Sequence, residues 1–259
     1  MCRRIRELAL RHPRYGYRRV AALLRRDGWR VNRKRVHRLW RREGLRVPQK
    51  QHKRTRLLDG SSDNAAHRQR ALRANHVWSF DFCHDRTADG RGIKVFSVID
   101  EFTRECLMIE AQRRITGAEV VSVLKALMAL RGVPAHVRCD NGPEFVCSAV
   151  RAWLRRSKVA PLYIAPGSPW ENAYAESYHA RLRDELLSRE EFGTLPEARA
   201  MLEAWRQEYN QDRPHGALGY LAPEAFAAAC RHRAEPSSAA LRTARHDDDE
   251  ERSLESVAQ

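Results

Sequence analysis

Long apolar runs are missing from this sequence: none approaches the ~20 consecutive residues that cross a bilayer. The opening stretch, MCRRIRELALRH, has no continuous apolar segment of the kind a secretory leader carries. Cysteine is scarce and scattered. Cys2, Cys83, Cys106, Cys139, Cys147 and Cys230 include no CxxC pair, which argues against a disulfide framework and a zinc ribbon. Cys83, Cys106 and Cys139 lie in apolar, strand-like runs and read as small core residues, so a reducing cytoplasm is the expected setting. Sustained heptads are also absent, and no coiled coil is predicted. What is there is a chain of 259 residues, 42% hydrophobic and 31% charged, enough for one sizeable core plus a small extra domain.

The net charge of +15 is unevenly placed. Residues 1–56 hold 21 Lys and Arg against three acids, Glu7, Asp27 and Glu43, a net of +18; the rest holds 27 against 30, a net of −3. The basicity therefore belongs to one N-terminal module and predicts a polyanionic partner. Within it, Val20, Leu23 and Leu24 fall at helical spacing and end at the turn dipeptide Asp27-Gly28. A second helix follows. Asn32 is its N-cap, Gly44 lies just past its end, and Val36, Leu39 and Trp40 form its apolar stripe. Arg33, Lys34, Arg38, Arg41 and Arg42 occupy the opposite face. Residues 1–46 thus read as a helix-turn-helix whose second helix enters a DNA groove. An αα-hairpin that touches only phosphates, or RNA, has the same pattern, because arginines alone do not specify bases. Residues 47–74, polar and basic with Pro, Gly and Ser, read as a linker.

From residue 77 the periodicity changes to that of strands. Residues 77–84 and 93–100 read as a hairpin, 105–111 as a third strand, 117–132 as a helix, and the AHVRC run as a fourth strand. EFVCSAVRAWLRRS reads as a helix and 160–165 as a fifth strand. Three antiparallel strands, helix, strand, helix, strand, helix is the order of the ribonuclease H-like fold. The predicted class is α/β: a mixed five-stranded sheet flanked by helices over 75–190, preceded by the small all-α module. In that fold the first and fourth strands are neighbours, so Asp81 and Asp140 are expected side by side.

Asp140 stands at a strand tip before Asn-Gly, where an acid either closes a turn or holds a metal. Asp81 is a charge inside an apolar strand, costly unless paired or metal-bound. Ser168 and Glu171 form a capping box with Pro169 at the first helical position, and place Glu176 two turns into the next helix, on its polar face. Asn172, His179 and Arg183 share that face. From Asp140 to Glu176 there are 35 intervening residues.

Five stretches in this order, VWSFDFCHD, VIDEFTREC, CDNGPEF, PGSPWENAYAES and YNQDRPHGALGY, resemble the integrase-core transposases of the IS-three family of bacterial insertion sequences, of the second-frame (OrfB) type. That family lies within the DDE transposase and retroviral integrase superfamily, and the resemblance runs from Tyr15 to Phe226. It implies that Asp81, Asp140 and Glu176 are the catalytic, metal-binding acids. The implied cofactor is Mg²⁺, with Mn²⁺ as a substitute. The implied partners are double-stranded DNA (terminal repeats and target), further copies of the chain on that DNA, and an upstream-frame protein joined as a frameshift fusion. Many members carry more sequence before YGYRRV, so a truncated start is an expectation here. Retroviral integrases have an N-terminal zinc module, which Cys2, His12, His37 and His52 do not reproduce.

The implied chemistry suits the residue types. Two hard cations about 3.5–4 Å apart, held by oxygen ligands, serve in-line displacement at phosphorus. Asp85, Asp89 and Asp100 read as loop and turn acids, and Glu144 as a first-turn acid of the next helix. Asn172, His179 and Arg183 are candidate DNA contacts beside the site; pairing of His179 and Arg183 with Asp184 or Glu185 is the ordinary alternative. Residues 191–233 read as a helical extension, with a helix over 196–209 whose Leu202 and Trp205 pack on the core. Arg213 and His215 follow in a loop that either touches DNA or is structural. The acidic tail, 234–259, is expected to be disordered. Two other functions fit parts of the pattern: a catalytically inactive DNA-binding remnant, and a ribonuclease H-type nuclease.

Overall fold

The computed structural model describes residues 1–47, 69–164 and 169–234. The basic module contains three helices, α1 (Cys2–Arg11), α2 (Tyr17–Arg26) and α3 (Arg33–Arg42), where the sequence pattern predicts two. Helix α1, which the sequence pattern does not assign, buries Ile5 and Leu8, one turn apart among arginines. It is held by packing on Val20, Leu24, Val36 and Trp40 and by charge. Arg4 pairs with Asp27 at 2.7 Å and Arg6 with Glu43 at 2.6 Å, while Glu7 meets Arg3 and Arg4. All three acids of the module thus form pairs inside it, with Glu43 also 4.0 Å from Arg42 of α3. Asn32 Oδ1 accepts the Lys34 N–H at 2.9 Å, and Gly44 takes φ +67° past the end of α3, as its sequence predicts.

Five strands form one sheet: β1 (Val77–Arg86), β2 (Gly92–Asp100), β3 (Cys106–Gln112), β4 (His136–Cys139) and β5 (Ala160–Tyr163). Their spatial order is β3-β2-β1-β4-β5, antiparallel among the first three and parallel from β1 to β5. The period of two sends alternate residues to opposite faces. Phe80, Phe96 and Val98 pack under α4 (Gly117–Arg131) and α6 (Ser148–Arg156). Cys83, Ile99 and Cys106 pack under α7 (Ala173–Leu182) and α8 (Leu195–Gln211), where Leu202 and Trp205 are buried as expected. The short α5 (Pro143–Val146) is separated from α6 by extended Cys147, so the single helix predicted there is broken in two. A helix α9 (Pro223–Ala234) closes the described chain. Among the described residues no helix is long and apolar enough to cross a membrane.

Entry into α7 differs from the sequence reading. The proposed N-cap, Ser168, lies outside the described residues, as do most of the linker and nearly all of the tail. A 3-10 turn, Pro169–Asn172, precedes the α-helix proper, so Glu176 stands in the first turn of α7 and not two turns in. A π turn, Arg183–Leu187, follows α7. The basic module rests on that turn and on α8. Arg14 faces Asp184 at 3.4 Å, His12 Nδ1 lies 3.0 Å from Glu208, and Arg26 meets Asp212 at 2.9 Å.

Candidate active site at the strand tips

Parallel strands advance together, and register decides which side chains meet. Ser79 of β1 lies opposite Arg138 of β4. Asp81 and Asp140 each come two residues later, on the same face, at the carboxyl end of the parallel pair. Asp81 Oδ1 accepts the N–H of Phe82 at 2.7 Å, and Asp140 Oδ1 accepts that of Gly142 at 2.9 Å. Burial pushes the Asp140 carboxyl above its ordinary range; the charges of Asp81 and Glu144 add to this, while the Gly142 N–H and Lys94 oppose it. A Cβ at Gly142 would stand 2.9 Å from Asp140 Oδ1, so the turn needs glycine for space.

Two residues absent from the sequence-based site frame this pair. Lys94 of β2 forms an ion pair with Glu144 of α5, and its ammonium sits 3.9 Å from the centre of the Phe82 ring. Lys94 holds the Glu144 carboxyl below its ordinary range. Nothing in the sequence marks Lys94, because a lysine on an alternating strand reads as a solvent-facing residue. Arg138, two residues before Asp140, is buried against Glu101 at 2.8 Å and anchors the base of β4.

The remaining candidates separate by exposure. Glu176 is exposed on the helix packed over β1. Among the described residues no three His, Cys, Asp or Glu side chains converge as a ready metal cluster. Asp81 and Asp140 are near enough for the charge of one to act on the other, and Glu176 lies on α7, which packs on β1. Their donor chemistry nevertheless fits a hard cation: oxygen ligands only, with burial and then the charge of Asp81 raising Asp140.

Asn172 and His179, read as DNA contacts, are 2% and 5% exposed and offer no surface to a phosphate here. The reason is packing: α7 turns its His179 face into the sheet, where the ring meets Ser97 at 2.7 Å and Asp81 at 3.4 Å. Arg183 is exposed, and so are Arg33, Lys34, Arg38, Arg41 and Arg42 on α3. Asp89 caps a turn through Thr87 and the Arg91 N–H, and Asp100 accepts three backbone N–H groups. Both are turn acids, as expected. Arg213 is buried in a bidentate pair with Glu185 of the π turn, at 2.7–3.1 Å, which makes its loop structural.

The integrase core domain family matches residues 71–169 and, in a second segment, 157–223, and an HTH-like domain matches 2–53. A 31.7 kDa protein of insertion element IS407 from Burkholderia multivorans is 40% identical over 233 residues, covering 89% of this chain and 81% of that protein. Transposase InsD for insertion element IS2 from Escherichia coli is 30% identical over 225 residues, 83% of this chain and 73% of that protein. A chain of the simian T-cell lymphotropic virus intasome superposes with a TM-score of 0.55 over 81% of this chain and 69% of its own, at 18% identity, a likeness of fold.

Proposed function

Since the chain belongs to the family of insertion-element transposases with an integrase core, we propose that it cuts and joins DNA at element ends by in-line displacement at phosphorus, with Asp81, Asp140 and Glu176 as its metal-binding acids. The observation that carries this reading is the parallel register of β1 and β4, Ser79 opposite Arg138, from which Asp81 and Asp140 each lie two residues on. Bound Mg²⁺, or Mn²⁺ in its place, would supply Lewis acidity to both the attacking and the leaving oxygen. In this reading Asp81 and Asp140 offer carboxylate oxygens from one face of the sheet, and Glu176 adds a third from α7. Water is the first attacker, and the 3′ hydroxyl it frees is the second. No covalent protein–DNA link is needed, so no serine or tyrosine nucleophile is assigned.

Helix α3 supports the DNA-binding half of the reading. Arg33, Lys34, Arg38, Arg41 and Arg42 are exposed on one helix, as phosphate and groove contacts must be. Arg183 is the basic residue of α7's end that remains available to DNA beside the acids. Assembly of further copies on DNA, and an upstream-frame protein fused by frameshifting, complete the proposal.

A labelled duplex carrying the imperfect terminal repeats that flank the gene tests it. With Mg²⁺, the expected products are a free 3′ hydroxyl and joined DNA, both absent with Asp140→Asn. Equal, salt-sensitive binding without cutting by either protein, even after adding the upstream-frame product, would leave a DNA-binding remnant and overturn the catalytic reading.

A further inference from the structure

Among the described residues, His179 is the histidine buried where α7 packs on β1 and β2. It is 5% exposed, three residues after Glu176 on α7. Its Nε2 lies 2.7 Å from the hydroxyl of Ser97, which is fully buried. Ser97 is the residue of β2 directly opposite Asp81 of β1. The other ring nitrogen, Nδ1, lies 3.4 Å from Asp81 Oδ2. One imidazole therefore touches both strands and is built into the helix that bears Glu176.

The polar atoms set the direction of each contact. A carboxylate accepts only, so Asp81 favours the tautomer with hydrogen on Nδ1. Nε2 is then the acceptor, and the Ser97 hydroxyl donates to it. Asp81 Oδ1 is already taken by the Phe82 N–H at 2.7 Å, and Oδ2 lies 3.4 Å from Nδ1, an ion-pair contact rather than a formed hydrogen bond. The ring thus lies where α7 packs against β1 and β2.

We propose that the Ser97–His179 pair is a positioning strut: it orients the Asp81 carboxylate and sets its spacing from Glu176, and does not contact DNA. The inference rests on the reading of Asp81, Asp140 and Glu176 as metal ligands. Outer partners of this kind typically change metal affinity or activity by about 10–100-fold when removed.

The test uses the full chain and Mn²⁺ alone, with uptake followed by the paramagnetic resonance of the free ion. Affinity for the terminal-repeat duplex is measured in parallel, in chelator. His179→Ala is expected to weaken Mn²⁺ uptake about tenfold or more while duplex affinity stays within about twofold. His179→Asn, which places an amide N–H near the position of Nδ1, is expected to recover much of the loss. Ser97→Ala removes one hydroxyl and is expected to lose Mn²⁺ affinity in the same direction by a smaller factor; it decides the matter should His179→Ala not fold. Unchanged Mn²⁺ uptake in folded His179→Ala and Ser97→Ala would overturn the strut, as would lost duplex affinity with Mn²⁺ uptake intact. Equal Mn²⁺ uptake by wild type and Asp140→Asn would mark a different failure, that of the metal-ligand reading, and the strut would fall with it.

Discussion

Gly142 takes φ −56°, a value open to any residue, so its constraint is space. Alanine there would press on Asp140 Oδ1 from 2.9 Å, and either the carboxylate or the loop must move. Displacement of a reacting group by about 1 Å can cost about 100-fold in rate. Gly142→Ala is accordingly expected to lower strand cleavage by about 10–100-fold, with the melting temperature little changed; cleavage assays and thermal melts check both. His215 works in the opposite way, through stability. Its Nδ1–H donates to the Arg213 carbonyl at 2.8 Å, and its Nε2 faces the Arg213 guanidinium at 3.2 Å. Burial, and then that cation, push it down from its ordinary 6.5 to about 3. Below about pH 6.5 the unfolded chain takes up a proton that the folded one refuses, so stability falls with pH until the folded value is reached. The expected loss at pH 5 is roughly 2 kcal/mol relative to pH 7. Urea unfolding of the wild type and His215→Gln at both pH values measures it, and the variant should show a smaller difference.

At the level of elements, helix ends and edges carry the argument. The Asn32 cap sits at the start of the helix proposed to enter DNA. Asn32→Ala is expected to cost about 1 kcal/mol of stability in chemical denaturation, with a matching loss of duplex affinity, because the first turn of α3 frays. Helix α8 protects the edge strand β3: the side-chain amide of Asn210 exchanges hydrogen bonds with the N–H and C=O of Cys106 at 2.8 and 2.9 Å. The π turn after α7 exists in company with Arg213, whose fork takes both oxygens of Glu185. Removing one member of a buried pair leaves the other uncompensated, at a cost of about 3–5 kcal/mol. Arg213→Ala should therefore unfold at markedly lower denaturant, and Arg213→Lys should not restore the wild-type midpoint, since an ammonium cannot reproduce the fork.

For the whole molecule, the question is how the basic module is held relative to the candidate site. Arg14, Arg26 and His12 meet Asp184, Asp212 and Glu208 across one interface, and Tyr15 is buried there. The acids belong to the π turn, to α8 and, for Asp212, to the residue just after α8. Charge thus registers the basic module, which carries the helix proposed to bind DNA, against the body that carries the candidate site. Asp212→Arg is expected to loosen the module and enlarge the radius of gyration in low-salt X-ray scattering. Adding Arg26→Asp to that variant, which restores opposite signs, should return it to the wild-type value. The pair is half-exposed, so the effect should shrink as salt rises.

Much of this protein is legible along the chain. Strand alternation, the Asn32 and Gly44 helix signals, and the uneven charge of residues 1–56 are local properties, set by backbone sterics and by neighbours within a turn. The order of elements was enough to expect Asp81 beside Asp140, because parallel register keeps equivalent positions together. Other features depend on residues far apart. Helix α1 buries just two of its ten residues fully, Ile5 and Leu8, and is held by partners brought from α2 and α3. His179 lies on a helix face that looks polar until Ser97 and Asp81 come to meet it. Lys94 becomes part of the site only when β2 carries it to Glu144. Local propensity is written in neighbouring letters, whereas burial and charge pairing across the sheet are decided only when the chain closes.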